Sequence, residues 1–212
     1  MGKKITTFFI ALILLLGFSA CSKEADKSAH AGTSETISEA VNETEKETTK
    51  TTGKSDSKTA VIYFSATGTT KDVAEIIARE TGASVFEIIP KEPYTSDDLS
   101  YNNDSCRANR EQNDSSARPE IANDLGEIKE YDKIYLGFPI WWGTNPKIIN
   151  TFLDFYDLSG AQIHLFCTSG SSGIDRSVSE LQSAYPNLKI ADGKRFESGA
   201  VEAIKGWIAE NK

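Results

Sequence analysis

Along residues 58–212, short apolar runs alternate with stretches whose apolar residues recur every three or four positions. The runs are Thr59–Phe64 (TAVIYF), Ser84–Ile89, Lys133–Phe138 (KIYLGF), Gln162–Cys167 (QIHLFC) and Leu188–Ala191. They are short, largely apolar and rich in β-branched or aromatic side chains, as strands covered on both faces should be. The periodic stretches are Thr70–Thr81, Asn145–Tyr156, Asp175–Tyr185 and Gly199–Asn211. Val73, Ile76 and Ile77 share a face of the first; Val201, Ile204, Trp207 and Ile208 share a face of the last. Pro146 suits the first turn of a helix, where its missing N–H is not needed. Strand and helix alternating in this way predict an α/β domain built on a five-stranded parallel sheet with helices on both faces. Five strands without a second nucleotide-binding half suggest the doubly wound order 2-1-3-4-5.

One stretch breaks the alternation. Lys91–Glu130 is long and polar, and its pattern allows a helix or two. Loops of that length without a role are uncommon. It is read either as a rim over a ligand site or as a solvated excursion. Arg107 and Arg110 are the side chains there best suited to an anionic substrate, and with Tyr94 they are the candidate substrate rim.

The first 57 residues follow different patterns. Lys3 and Lys4 precede the apolar run Phe8–Leu16, and small residues Ser19 and Ala20 follow it. Residues 1–20 therefore read as an export signal, too short in its apolar part to span a bilayer. Residues 21–57 read as a disordered tether. Ser22–Ser57 holds 13 Ser and Thr, 8 Asp and Glu, 5 Lys and no aromatic residue, too little apolar surface to offset chain entropy.

The net charge is -8 over 212 residues. With the two signal lysines and the tether set aside, residues 58–212 carry -7. An acidic domain of this kind argues against nucleic acid as a partner. Three Cys and two His, with no C-x-x-C or H-E-x-x-H spacing, leave neither a zinc site nor a disulfide scaffold. Cys167 reads as a buried structural thiol, with a bridge to Cys106 as the alternative, and His164 reads as structural.

In a doubly wound sheet, ligands bind outside the carboxyl ends of the strands. Three loops there carry unusual chemistry. After strand 1, Ser65-Ala66-Thr67-Gly68-Thr69-Thr70 leads into a helix N-terminus, a setting that favours an anion; it matches neither phosphate-binding glycine motif. After strand 3 comes Pro139-Ile140-Trp141-Trp142-Gly143, where two exposed indoles would favour a flat partner, although one of them should pack in the core. After strand 4, Thr168-Ser169-Gly170-Ser171-Ser172-Gly173 is small enough for close backbone approach.

A phosphate at one end, a flat ring at the other and backbone donors between describe FMN. These loops resemble the flavodoxin family, most closely the branch with P-I-W-W-G and T-S-G-x-S-G loops that is often exported or lipid-anchored. The resemblance implies a flavodoxin-like FMN-binding domain over residues 58–212. It implies Ser65, Thr67, Gly68, Thr69 and Thr70 at the FMN phosphate. It implies Pro139, Ile140, Trp141, Trp142 and Gly143 beside the ring, and Thr168, Ser169, Gly170 and Gly173 at its polar edge. Phe18-Ser19-Ala20-Cys21 likewise resembles a lipoprotein cleavage site, implying a lipid on Cys21 and a cell-membrane lipoprotein at the extracytoplasmic face. Three functions follow from the sequence. The chain could carry electrons to a redox partner protein, reduce a quinone or other small acceptor with NAD(P)H, or act as a binding module without cofactor.

Overall fold

The computed structural model describes residues 57–126 and 128–211. The export signal, Cys21 and all of the tether except Ser57 lie outside the described residues. The described chain runs β1 (Thr59–Tyr63), α1 (Thr69–Thr81), β2 (Ser84–Glu87), α2 (Arg107–Asn113), β3 (Lys133–Pro139), α3 (Lys147–Phe155), β4 (Gln162–Thr168), α4 (Asp175–Ala184), β5 (Lys189–Phe196) and α5 (Val201–Glu210). A single 3-10 turn, Ile128–Glu130, precedes β3. The five strands form one sheet in the order β2-β1-β3-β4-β5, every pairing parallel.

The strands are apolar throughout because both faces are covered. On one face Ile62, Ile134, Leu136, Ile163 and Leu165 pack with α3, α4 and residues of the segment before β3. On the other, Val61, Tyr63, Tyr135 and Phe166 pack with α1 and α5. Gly137 in β3 admits the ring of Phe166: a Cβ there would lie 2.0 Å from Phe166 Cζ.

The helices form within a residue or two of their predicted limits. Pro146 stands just outside α3 as its N-cap. β5 departs further, running to Phe196 and not stopping at Ala191. Its register slips between Ile163 and His164, so that Ile163 faces Ile190 while His164 faces Asp192. Ala191 is the extra residue of a β-bulge. Beyond it the polar run Asp192-Gly193-Lys194-Arg195 hides the strand from a hydrophobicity reading. Gly193 keeps α4 close, since a Cβ there would meet Val178 Cγ2 at 2.7 Å.

Candidate functional site

The loops after β1, β3 and β4 meet where the strand order reverses, beside the β1–β3 pair. Ser65 turns the chain out of the sheet, its Oγ accepting from Gly68 N at 3.1 Å. Gly68 then caps α1 at φ 91, in the left-handed region, with no side chain on the helix N-terminus. The first-turn N–H groups of a helix have no intrahelical partner, and the helix dipole adds positive potential there. An uncapped end of this kind, beside the Thr67 and Thr69 hydroxyls 3.4 Å apart, suits an anion. Thr70 behaves differently. It is buried, and its Oγ1 lies 2.8 Å from Thr168 Oγ1. These two hydroxyls tie α1 to the end of β4.

The loop after β3 is a tight hairpin. Trp141 N donates to Thr144 O at 2.9 Å and Thr144 N to Trp141 O at 3.1 Å. Between them Trp142 has φ 47 and Gly143 φ 86. Two successive left-handed residues mark a type I′ turn, a conformation costing a non-glycine residue about 1–2 kcal/mol. Trp141 is the indole in the core, edge-on to Phe64 at 5.4 Å and to Tyr94 at 4.8 Å. Trp142 already has a flat partner from the protein: Tyr101 stacks on it at 4.3 Å and 22°. From α4, Glu180 accepts from Thr144 Oγ1 at 2.6 Å and pairs with Arg176 Nε at 2.7 Å. Burial alone would raise the Glu180 carboxyl pKa, but the Thr144 hydroxyl and the Arg176 guanidinium outweigh it and hold it below its usual range.

After β4, Ser169 Oγ donates to Ser172 O, and Arg195 Nη1 donates to Ser169 O at 3.2 Å. The three loops enclose a cleft of about 440 Å³. Thr67 and Thr69 line one part, Pro139, Ile140 and Trp141 another, and Thr168, Ser169 and Gly170 a third. Ser65, Gly68 and Thr70 shape the first loop behind this wall; Trp142, Gly143 and Gly173 also stand off it. Four further residues line it: Tyr101, Phe196 at the end of β5, and Glu197 and Ser198 just beyond it. The β5 residues were missed because the strand was read too short. The signal for Tyr101 is that it is one of two aromatics in a long polar segment, the other being Tyr94. Larger hollows of about 760 and 520 Å³ lie beside Phe155 and at the amino ends of the strands near Lys58. Neither is lined by the loops after β1, β3 and β4.

The side chains expected as a substrate rim, Tyr94, Arg107 and Arg110, do not line this cleft. Tyr94 packs against Phe64 and Trp141, and its hydroxyl donates to Glu111 Oε2 at 2.5 Å. Burial, then that carboxylate, push its phenol pKa far up. Arg107 pairs with Glu111 at 2.7 Å, lies 4.0 Å over the Tyr94 ring and donates to Glu92 O. Arg110 donates to Ser105 O. Close internal partners engage all three side chains. Cys106 and Cys167 are both buried and free, so they form no bridge. Cys106 Sγ caps α2 by accepting from Asn109 N, and burial pushes the Cys167 thiol pKa up to about 12. His164 is buried in β4, its Nδ1 2.5 Å from Asp192 Oδ1.

The model of a flavodoxin family matches residues 58–211. Among solved structures, one described as a flavoprotein from Bacteroides uniformis ATCC 8492 is 42% identical, with a TM-score of 0.70, covering 72% of this chain and 98% of its own. A second, from Bacteroides eggerthii DSM 20697, is 40% identical, also at 0.70, covering 73% and 98%. A flavoprotein from Lactobacillus acidophilus NCFM, solved in complex with FMN, is 25% identical at a TM-score of 0.56, covering 69% and 97%. No curated protein matches the chain.

Proposed function

Because the chain belongs to the flavodoxin family, we propose that it carries electrons at the outer face of a membrane, from or to a redox partner. Its cofactor is FMN, the group held by the related Lactobacillus acidophilus flavoprotein. The observation that carries this reading is the α1 N-terminus, left without a side-chain cap at the mouth of a hydroxyl-lined cleft. An anion completes such an end.

Within the cleft, the first-turn N–H groups of α1 with the Thr67 and Thr69 hydroxyls would hold the phosphate. Ile140 and Trp141 would wall the ring, and the backbone of Ser169 and Gly170 would meet its polar edge. Bound FMN supplies the redox chemistry, taking up and giving back electrons through its ring. The protein fixes the ring and keeps water from its buried side.

An electron carrier is favoured over an NAD(P)H-dependent reductase by the lining of the cleft, which holds no lysine or arginine. Arg107 is paired with Glu111, and neither it nor Arg110 lines the cleft. Anchoring would fall to Cys21. Titrating the full-length chain with FMN tests the reading: one equivalent should bind with quenched flavin fluorescence, and dithionite should bleach it while NADH does so only slowly. A chain that leaves added FMN free overturns it. Rapid bleaching by NADH followed by reoxidation with a quinone would put the reductase in its place.

A further inference from the structure

We propose that the segment from Tyr94 to Gln112 braces the ring end of the cleft, with Gln112 as the positioning residue. This rests on the FMN reading above. The Trp141–Thr144 turn contains two left-handed residues and is crossed by two backbone hydrogen bonds. Five contacts from three side chains of the segment hold it and the residues beside it. Gln112 Nε2 donates to Trp141 O at 2.8 Å and to Asn145 O at 3.1 Å, so one amide spans both arms of the hairpin with both its hydrogens. The Tyr94 ring meets Trp141 edge-on at 4.8 Å. Tyr101 stacks on Trp142, and its hydroxyl reaches Ile140 O at 3.4 Å.

These contacts converge on the wall formed by Ile140 and Trp141, and none touches the phosphate loop. A wall held in place before binding spares a ligand the cost of ordering it. The long segment is thereby part of the cofactor site. Gln112 acts through the turn and need not touch the cofactor itself.

The two ends of the cleft can be separated with two ligands. FMN has ring and phosphate; riboflavin has the same ring and no phosphate. Both are titrated into the full-length wild type, Gln112→Met, Gln112→Glu, Tyr101→Ala, Tyr101→Phe and Thr69→Ala. Gln112→Met keeps the chain length and removes both donors. It should weaken FMN and riboflavin by the same factor, about tenfold for two lost hydrogen bonds. Gln112→Glu sets a carboxylate against two carbonyls and should weaken both at least as much. Tyr101→Ala, at an exposed position, should weaken both in parallel by a few-fold, and Tyr101→Phe, which keeps the stack, should restore wild-type binding of both. Thr69→Ala should weaken FMN alone. Near-ultraviolet circular dichroism of the ligand-free Gln112 variants should change in the indole region while far-ultraviolet spectra stay the same. If Gln112→Met does not fold, the Tyr101 pair decides. The brace is overturned if the folded Gln112 variants and Tyr101→Ala bind both ligands as wild type does, or lose only FMN. A wild type that leaves both ligands unbound overturns the cofactor reading, and the brace with it.

Discussion

In β3, the ring of Phe166 crosses the strand over Gly137, leaving no room for a side chain there. A small residue in a strand interior normally weakens it. Here the missing Cβ lets an aromatic from β4 fill the space between the sheet and the helices of that face. Gly137→Ala should therefore destabilise the fold by about 1–3 kcal/mol, the range for an overfilled core. Phe166→Leu in the same chain should recover part of that loss, because the clash involves the far end of the phenyl ring. Urea midpoints of the two single variants and the double variant measure the coupling. Strictly additive losses would mean that the ring and the glycine do not depend on each other. Sequence alone shows KIYLGF as a strand, but not this contact, since the partner sits 29 positions away. The Trp pair was better marked. One indole was expected in the core and Trp141 is there. The left-handed φ of Trp142 and its stacking on Tyr101 needed coordinates, because no local pattern reports a tertiary stack.

Between elements, the bulge in β5 has a consequence for α5. By adding Ala191, it brings Asp192 opposite His164. Asp192 then lies 2.5 Å from His164 Nδ1 with one oxygen and accepts from Trp207 Nε1 at 2.8 Å with the other, which joins β4, β5 and α5. His164 and Trp207 are both almost fully buried. Asp192→Ala would leave a buried indole N–H and a buried imidazole without this partner, at about 1–3 kcal/mol. A denaturation midpoint should fall accordingly, with slower loss of α5 protection in hydrogen exchange standing against the idea. The element order, the 2-1-3-4-5 sheet and the helix limits were legible because apolar runs and periodic faces record burial directly. β5 was cut short for the same reason: its second half is an edge strand of Asp, Gly, Lys and Arg, stabilised by pairing and by a shared carboxylate. That error hid the fourth side of the cleft, at Phe196 to Ser198. The segment before β3 was legible as an anomaly, yet its residues were assigned by charge. Arg107 and Arg110 face acids and carbonyls of the segment and Arg118 faces Asp154 of α3, whereas Gln112, uncharged and unremarkable in sequence, holds the turn beside the site.

For the whole molecule, the charge and the attachment point have to be read together. Residues 58–212 carry -7, while the first 21 residues contain two lysines and no acid. Among the described residues no helix is long and apolar enough to cross a membrane. Cys21, behind its apolar run, is the residue proposed for attachment, and it lies outside the described residues. Two or more acyl chains, at about 0.8 kcal/mol per buried CH₂, hold a protein there stably; a bare thiol contributes nothing comparable. A lipid anchor would keep an acidic redox domain near membrane partners, while its charge would favour basic docking faces over anionic lipid. In a bacterial host expressing the full-length chain, the wild type should sediment with membranes and carry acyl mass on Cys21. Cys21→Ser should leave the FMN titration unchanged, since nothing in the cleft depends on it, and move the protein out of the washed membrane fraction. A wild-type protein that is recovered without acyl mass, or a serine variant that stays in that fraction, would leave this domain without the anchor assigned to it.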